Sequence, residues 1–223
     1  EKGKITRYEG RLYLLTEEYP EDNNVQKVIN NFTKRLDKKF EDVIATTTIL
    51  LDGEKENIRS KETNLGRLIC KSMVVTANTD IALMNGGGIR TSINTGEIKL
   101  KDVYNVLPFD NKIVSIELKG EDLLAVLQRS SELNPGDGGK LQTFGLDYQN
   151  KDGKISILKV RGEEFAIEKS YSVAIPDFLA DGGDGYSLFS ERAINRNDIG
   201  AVLRDSFIGF LRRNKEITQD TLK

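Results

Sequence analysis

DIALMNGGGIR, residues 80–90, is an apolar run that breaks into three consecutive glycines and ends on an arginine. Its first half reads as a strand and its second as a turn. Glycine loses more conformational freedom on folding than any other residue. Three in a row therefore mark unusual backbone angles or a close approach to something else. The run lacks the G-x-G-x-x-G spacing of a dinucleotide fold, which leaves open what it approaches.

Downstream, KIVSIELKG (112–120) alternates as a strand, and EDLLAVLQRSSEL (121–133) has helical spacing until Asn134-Pro135-Gly136 ends it. LDYQNKDGKISILKV (146–160) reads as a hairpin turning at Lys151-Asp152-Gly153. YSVAIPDFLA (171–180) reads as a strand entering a second glycine turn, and NDIGAVLRDSFIGFLRR (197–213) as a closing amphipathic helix. Upstream, DVIATTTILL (42–51) is strand-like and a helix begins near Asn64. Val25, Val28, Ile29, Phe32 and Leu36 share one face of a helix over about 22–38, and KITRYEGRLYLLTEEYP (4–20) reads as two short strands stopped at Pro20. This mixture of strands, helices and hairpins predicts an α+β or mixed-sheet α/β layered fold.

At 223 residues and 38% hydrophobic, the chain can bury a core as one large domain or a domain and a half. Its 33 basic and 35 acidic residues nearly cancel, so no global field draws it to nucleic acid or a membrane surface. It has no histidine, which excludes Ser-His-Asp and Cys-His nucleophile sites, histidine-zinc sites and the mixed histidine and carboxylate cage of a two-metal phosphatase. The single cysteine, Cys70, cannot form an internal disulfide and reads as a buried helical thiol. No apolar run reaches the length of a membrane span, and Glu1 follows no charged and apolar leader; the expectation is a cytosolic chain or one already trimmed.

Two local patterns mimic known sites. NPGDGGKL (134–141) has Gly-Gly-Lys without the earlier glycine or the following Ser or Thr of a phosphate-cradling loop, and reads as a flexible loop. YQNKDGKISILK (148–159) spaces Asn150, Asp152 and Gly153 as a calcium loop does, but puts Tyr148 and Lys159 at the first and twelfth positions.

Two glycine turns remain, each set among polar groups and an aromatic ring. One comprises Asn85, Arg90 and then NVLPFDN (105–111), where Pro108 stiffens the backbone before Phe109. The other is DFLADGGDGY (177–186), with Phe178, Asp184 and Tyr186. Two rings can hold a flat heterocycle between their faces, a contact worth about 1–3 kcal/mol per ring. Asp184 can accept ribose hydroxyls, and Arg90 and Arg59 can grip an anion as a fork. The plainer alternatives are a loop phenylalanine lidding the core, an aspartate bonding its own turn, and arginines in surface ion pairs.

NGGGIR, LPFDN and FLADGGDGY, in that order and with TNLGRLIC (63–70) and LQTFG (141–145), resemble the C-terminal, substrate-binding domain of the 5'-nucleotidase family. That family includes bacterial UDP-sugar hydrolases and animal ecto-5'-nucleotidases. The resemblance implies residues 40–223 as a nucleotide-binding domain, 21–39 as a linker helix, and 1–20 as remnant strands of a missing N-terminal metallophosphatase domain. By motif, Phe109 and Phe178 would sandwich the base and Asp184 would hold the ribose. Asn85 and Asn111 would add polar contacts near the base and substrate, and Arg90 with Arg59 would hold phosphate or ribose-side oxygens. Gly86, Gly87, Gly88, Gly182 and Gly183 would shape the turns so that these side chains face one ligand. The motif departs at Pro176, where the family carries Asn before DFL, and a backbone donor is lost there.

The implied function is substrate recognition in a metal-dependent 5'-nucleotidase that hydrolyses nucleoside 5'-monophosphates. The alternatives are a UDP-sugar hydrolase, a 2',3'-cyclic nucleotide phosphodiesterase, or a non-catalytic surface-binding module. No catalytic residue, metal ligand or cofactor is expected in this chain; two divalent metal ions belong to the missing domain. Implied partners are a nucleoside or nucleotide and that domain, with no nucleic acid and no membrane span, in a periplasmic, cell-surface or secreted location. Strands in 1–20 would lack partners, so they are expected disordered, packed on the domain or paired between chains.

Overall fold

The computed structural model describes residues 3–14, 16 and 19–223, and within its first helix the side chains of all but 34–38. Two compact units emerge, Glu1–Lys39 and Phe40–Lys223. In the first, helix α1 (Asn23–Phe40) is started by Asp22, whose carboxylate accepts from the amides of Asn24 at 2.8 Å and Val25 at 3.1 Å. The amides of Val25 and Asn24 hold that carboxyl below its ordinary range. Val25, Val28, Ile29 and Phe32 fall along one face, as the spacing predicts, and stay about half exposed; Leu36 lies outside the described side chains. The strands predicted in 4–20 do not form among its described residues, while Leu15, Glu17 and Glu18 lie outside them. A two-stranded ribbon without a sheet to join is marginal in water.

The second unit opens with β1 (Val43–Thr47), the short α2 (Lys55–Ile58) and α3 (Asn64–Ala77). Thr63 caps α3 by accepting from Gly66 N at 3.1 Å. β2 (Ile81–Asn85) leads through the glycine run to β3 (Gly96–Lys99), α4 (Leu100–Val106), β4 (Lys112–Lys119) and α5 (Gly120–Glu132). Then come β5 (Leu141–Phe144), the hairpin β6 (Leu146–Lys151) and β7 (Lys154–Val160), the brief β8 (Glu163–Glu164), and β9 (Ser170–Pro176). Short helices α6 (Asp177–Ala180) and α7 (Ser187–Arg192) precede β10 (Ile194–Val202), α8 (Leu203–Asn214) and β11 (Glu216–Ile217).

A mixed sheet ordered β10-β4-β9-β2-β5 forms the middle layer, with β2 parallel to β9 and the other neighbours antiparallel. All five residues of β2 are buried, the mark of a strand covered on both faces. Its alternation sends Ala82 and Met84 into a core with α3, α4 and α8, and Ile81 and Leu83 into a second core with α5 and β7. The layered mixed α/β architecture is the predicted one.

Two element readings are corrected. The strand predicted over 171–180 stops at Pro176, and Asp177–Ala180 turn into helix. The helix predicted over 197–213 begins only at Leu203, because Asn197 and Asp198 pair with Ser115 and Val114 of β4 at the sheet edge. Pairing to a neighbouring strand overrides local periodicity there.

Parallel β2 and β9 end at the same edge, and antiparallel β4 starts there, with Ile113 opposite Pro176. Outside the carboxyl ends of strands is where open α/β sheets place ligands. Three loops meet at that edge: the glycine run, the 107–111 segment and the second glycine turn.

Candidate functional site

The glycine run winds through one 3-10 turn after Asn85, and none of its three residues has left-handed backbone angles. Close approach is what demands glycine. A Cβ on Gly86 would lie 2.3 Å from the Ile58 carbonyl oxygen, one on Gly87 3.1 Å from Gly138 Cα, and one on Gly88 2.7 Å from Met84 Cε. Gly86 N donates to Lys140 O and Gly87 N to Gly138 O, both at 2.7 Å. The 134–141 segment, read as a flexible loop, is thereby tied to the glycine run as a wall of the site.

On the other side of the run, the buried Gln142 amide holds the turn that carries Arg59. Its Nε2 donates to Ile58 O at 2.9 Å and Lys61 O at 2.8 Å, and its Oε1 accepts from Thr63 N at 2.8 Å.

In the second turn, Gly182 and Asp184 both take left-handed angles, with φ of 89° and 51°. Asp184 does not bond its own turn. Its Oδ2 accepts from Asn85 Nδ2 at 2.8 Å, joining the ends of β2 and the second turn. Gly183 is glycine because the Phe178 ring lies against it, 2.5 Å from where a Cβ would sit. Tyr186, named with the second turn, is in the core: it is 1% exposed, and its hydroxyl donates to Gly139 O at 2.8 Å. Burial pushes its pKa up to about 12.

The 107–111 segment is held from α8. Arg204 Nη1 donates to Leu107 O at 3.1 Å and Phe109 O at 3.5 Å, and its Nη2 meets Asp110 Oδ1 at 2.5 Å. Leu203 N donates to Asn111 O at 2.9 Å. The Asn111 side chain in turn donates to Asp177 Oδ1 at 2.8 Å.

These loops enclose a cleft of about 580 Å³, a volume suited to a small organic ligand. All seven side chains singled out in the sequence line it: Arg59, Asn85, Arg90, Phe109, Asn111, Phe178 and Asp184. Gly87 and Gly88 reach its surface; Gly86, Gly182 and Gly183 shape it from behind. Phe109 and Phe178 are 50% and 43% exposed, so neither ring is a core lid. Arg90 sits with its guanidinium 5.9 Å from the Phe109 ring centroid and donates to Gly87 O at 3.2 Å. Arg59 donates to Gly136 O at 3.4 Å and leaves a buried Nε without a partner. Among the described residues neither arginine has a carboxylate within ion-pair distance, so the surface-pair alternative fails.

Sequence reasoning missed Asp177, Gly138, Gln142 and Arg204. Asp177 adjoins Phe178 in one quoted motif and Gln142 lies inside another, LQTFG, so both were within reach; Arg204 acts through contacts with a distant segment and left no local signal.

Fold and cleft together define a layered α/β domain with an open cleft lined by aromatic, cationic and acidic side chains. A family model described as 5'-nucleotidase, C-terminal domain, matches residues 43–191, and the chain belongs to that family. It is 32% identical to protein UshA of Escherichia coli K12 over 211 residues, which is 93% of this chain and 38% of that protein. To the trifunctional nucleotide phosphoesterase protein YfkN of Bacillus subtilis 168 it is 34% identical over 230 residues, 96% of this chain and 16% of the relative. Among solved structures it is similar to the 5'-nucleotidase precursor from Thermus thermophilus, with a TM-score of 0.77 and 34% identity over 89% of this chain and 42% of that one. The chain thus spans well under half the length of these relatives.

Among the described residues no group of three or more His, Cys, Asp or Glu side chains is placed to hold a metal ion. The described residues therefore do not fit the two ions that the resemblance implies for a preceding domain. No helix among them is long and apolar enough to cross a membrane.

Proposed function

We propose that the chain is the nucleoside-recognition part of a metal-dependent 5'-nucleotidase that converts nucleoside 5'-monophosphates to nucleoside and phosphate. The observation that carries the reading is the meeting of Phe109, Phe178, Asp184, Arg59 and Arg90 in one cleft from three separate loops and a turn. The base lies between the two rings. Asp184 receives ribose hydroxyls on the oxygen that Asn85 leaves free, and the two arginines take the negative charge.

Holding the nucleoside in one orientation is this chain's contribution to rate. Metal ions and hydrolysis belong to a preceding domain, a division supported by the greater length of UshA, of which this chain covers 38%. By itself the chain binds nucleosides and hydrolyses nothing. A periplasmic, cell-surface or secreted location is part of the same reading.

Calorimetric titration with adenosine, AMP and UDP-glucose tests it. Phe109→Ala and Phe178→Ala are each expected to weaken binding by about tenfold or more. No binding by the unaltered chain at millimolar ligand overturns the nucleoside reading. Turnover of AMP by the purified chain supplied with divalent metal overturns the division of labour.

A further inference from the structure

Asn111 and Asp177 stand beside the two cleft rings, Asn111 two residues after Phe109 and Asp177 immediately before Phe178. A carboxamide offers donors on one side and an acceptor on the other, so what it shows a ligand depends on which side is already taken. Here Asn111 Nδ2 lies 2.8 Å from Asp177 Oδ1, which also accepts from Phe178 N at 2.8 Å. A carboxylate only accepts, and turning the amide over would set oxygen against oxygen. The chemistry of the pair thus dictates the orientation of the amide.

What remains on this wall is Asn111 Oδ1 and Asp177 Oδ2. Neither accepts a hydrogen bond from the described residues, and neither is buried. Both are acceptors. Asn85 is committed in the same sense, its Nδ2 given to Asp184 at 2.8 Å.

We propose that Asn111 and Asp177 form an acceptor-only edge that selects nucleobases carrying an exocyclic amino group; the proposal rests on the nucleoside-binding reading of the cleft. The amino group of adenine or cytosine brings two hydrogens to the two free oxygens. Hypoxanthine and uracil put a carbonyl oxygen at the same ring position and carry one N–H on the neighbouring ring nitrogen, so at most one of the two acceptors is met and the carbonyl faces the other without its water. Asn111 and Asp177 are specificity-determining residues, and the rings supply the affinity common to all bases.

The test is calorimetry of the chain with two pairs of nucleosides, adenosine against inosine and cytidine against uridine, each differing by amino for oxo. The amino member is expected to bind about tenfold or more tightly in both pairs. Asp177→Asn lets the Asn111 amide turn, so both ratios are expected to fall toward one. Asn111→Ala, which removes one acceptor and leaves Asp177 in place, is expected to lower them as well, should the first variant fail to fold. Equal affinity within both pairs, with binding still lost in Phe109→Ala, overturns this inference and leaves the cleft reading standing. Failure of all four nucleosides to bind overturns both.

Discussion

Arg204 is 9% exposed and bonds to the carbonyls of Leu107 and Phe109 and to the Asp110 carboxylate, while its guanidinium lies 4.2 Å from the Tyr104 ring centroid. It does not line the cleft but holds the loop that presents Phe109. Lysine keeps the charge and loses the planar fork. Arg204→Lys is therefore expected to cost about 1–3 kcal/mol of stability in urea titration and also to weaken adenosine binding, because bonds to buried carbonyls are left unmade. Phe109→Ala should weaken binding without that loss of stability.

Glu62 makes a different prediction. Burial raises its pKa above the ordinary carboxylate value, against the hydrogen bonds it receives from Thr143 and Tyr148. A raised acid binds its proton more tightly in the folded state. Its contribution to stability is then most favourable below the unfolded carboxylate value and declines as pH rises to the folded one. Glu62 keeps part of its surface in solvent, which weakens the effect, but Glu62→Gln removes the charge held against Thr143 and Tyr148, so its stability relative to the parent is expected to improve modestly between pH 4 and pH 8 in denaturant titrations. A constant difference across that range would exclude the effect.

At the scale of elements, the two cleft turns need glycine for different reasons. Gly182 needs its left-handed angles, whereas Gly86 needs room beside the backbone of Ile58. Gly86→Ala is expected to destabilise by about 1–3 kcal/mol, because the carbonyl it would strike cannot rotate away as a side chain can. Gly209, inside α8, meets only Arg213 Nη1, at 3.6 Å, so Gly209→Ala is expected to stabilise by about 0.5–1 kcal/mol through helix propensity. Thermal melts of both variants check the contrast.

β2, β4 and α5 were legible because each carries its own apolar signal: an unbroken run in β2, alternation in β4 and helical spacing on the one face α5 buries. β10 was not legible: its pairing with β4 is a contact across the sheet, and its exposed residues carry no alternation. The turn to helix at Asp177 was hidden by an apolar stretch whose strand character ends only where Pro176 faces Ile113.

For the whole molecule, both hydrophobic cores are built from residues 40–223. Deleting residues 1–39 is expected to leave a cooperative thermal transition, its midpoint within a few degrees of the parent's, and adenosine affinity unchanged. A lost transition would show that the second unit does not fold by itself.

The amino-acid sequence by itself determined the layered class, the buried thiol at Cys70, and the motifs from which the cleft is made. Each of these depends on residue type and local spacing. Only the tertiary structure decided that Asn111 answers to Asp177, that Asp184 answers to Asn85, and that Gly87 lies against Gly138. Those pairings follow from the strand order β10-β4-β9-β2-β5, which sets distant segments side by side at one edge. Strand order is chosen by how two cores close together, and no single stretch of residues contains that choice.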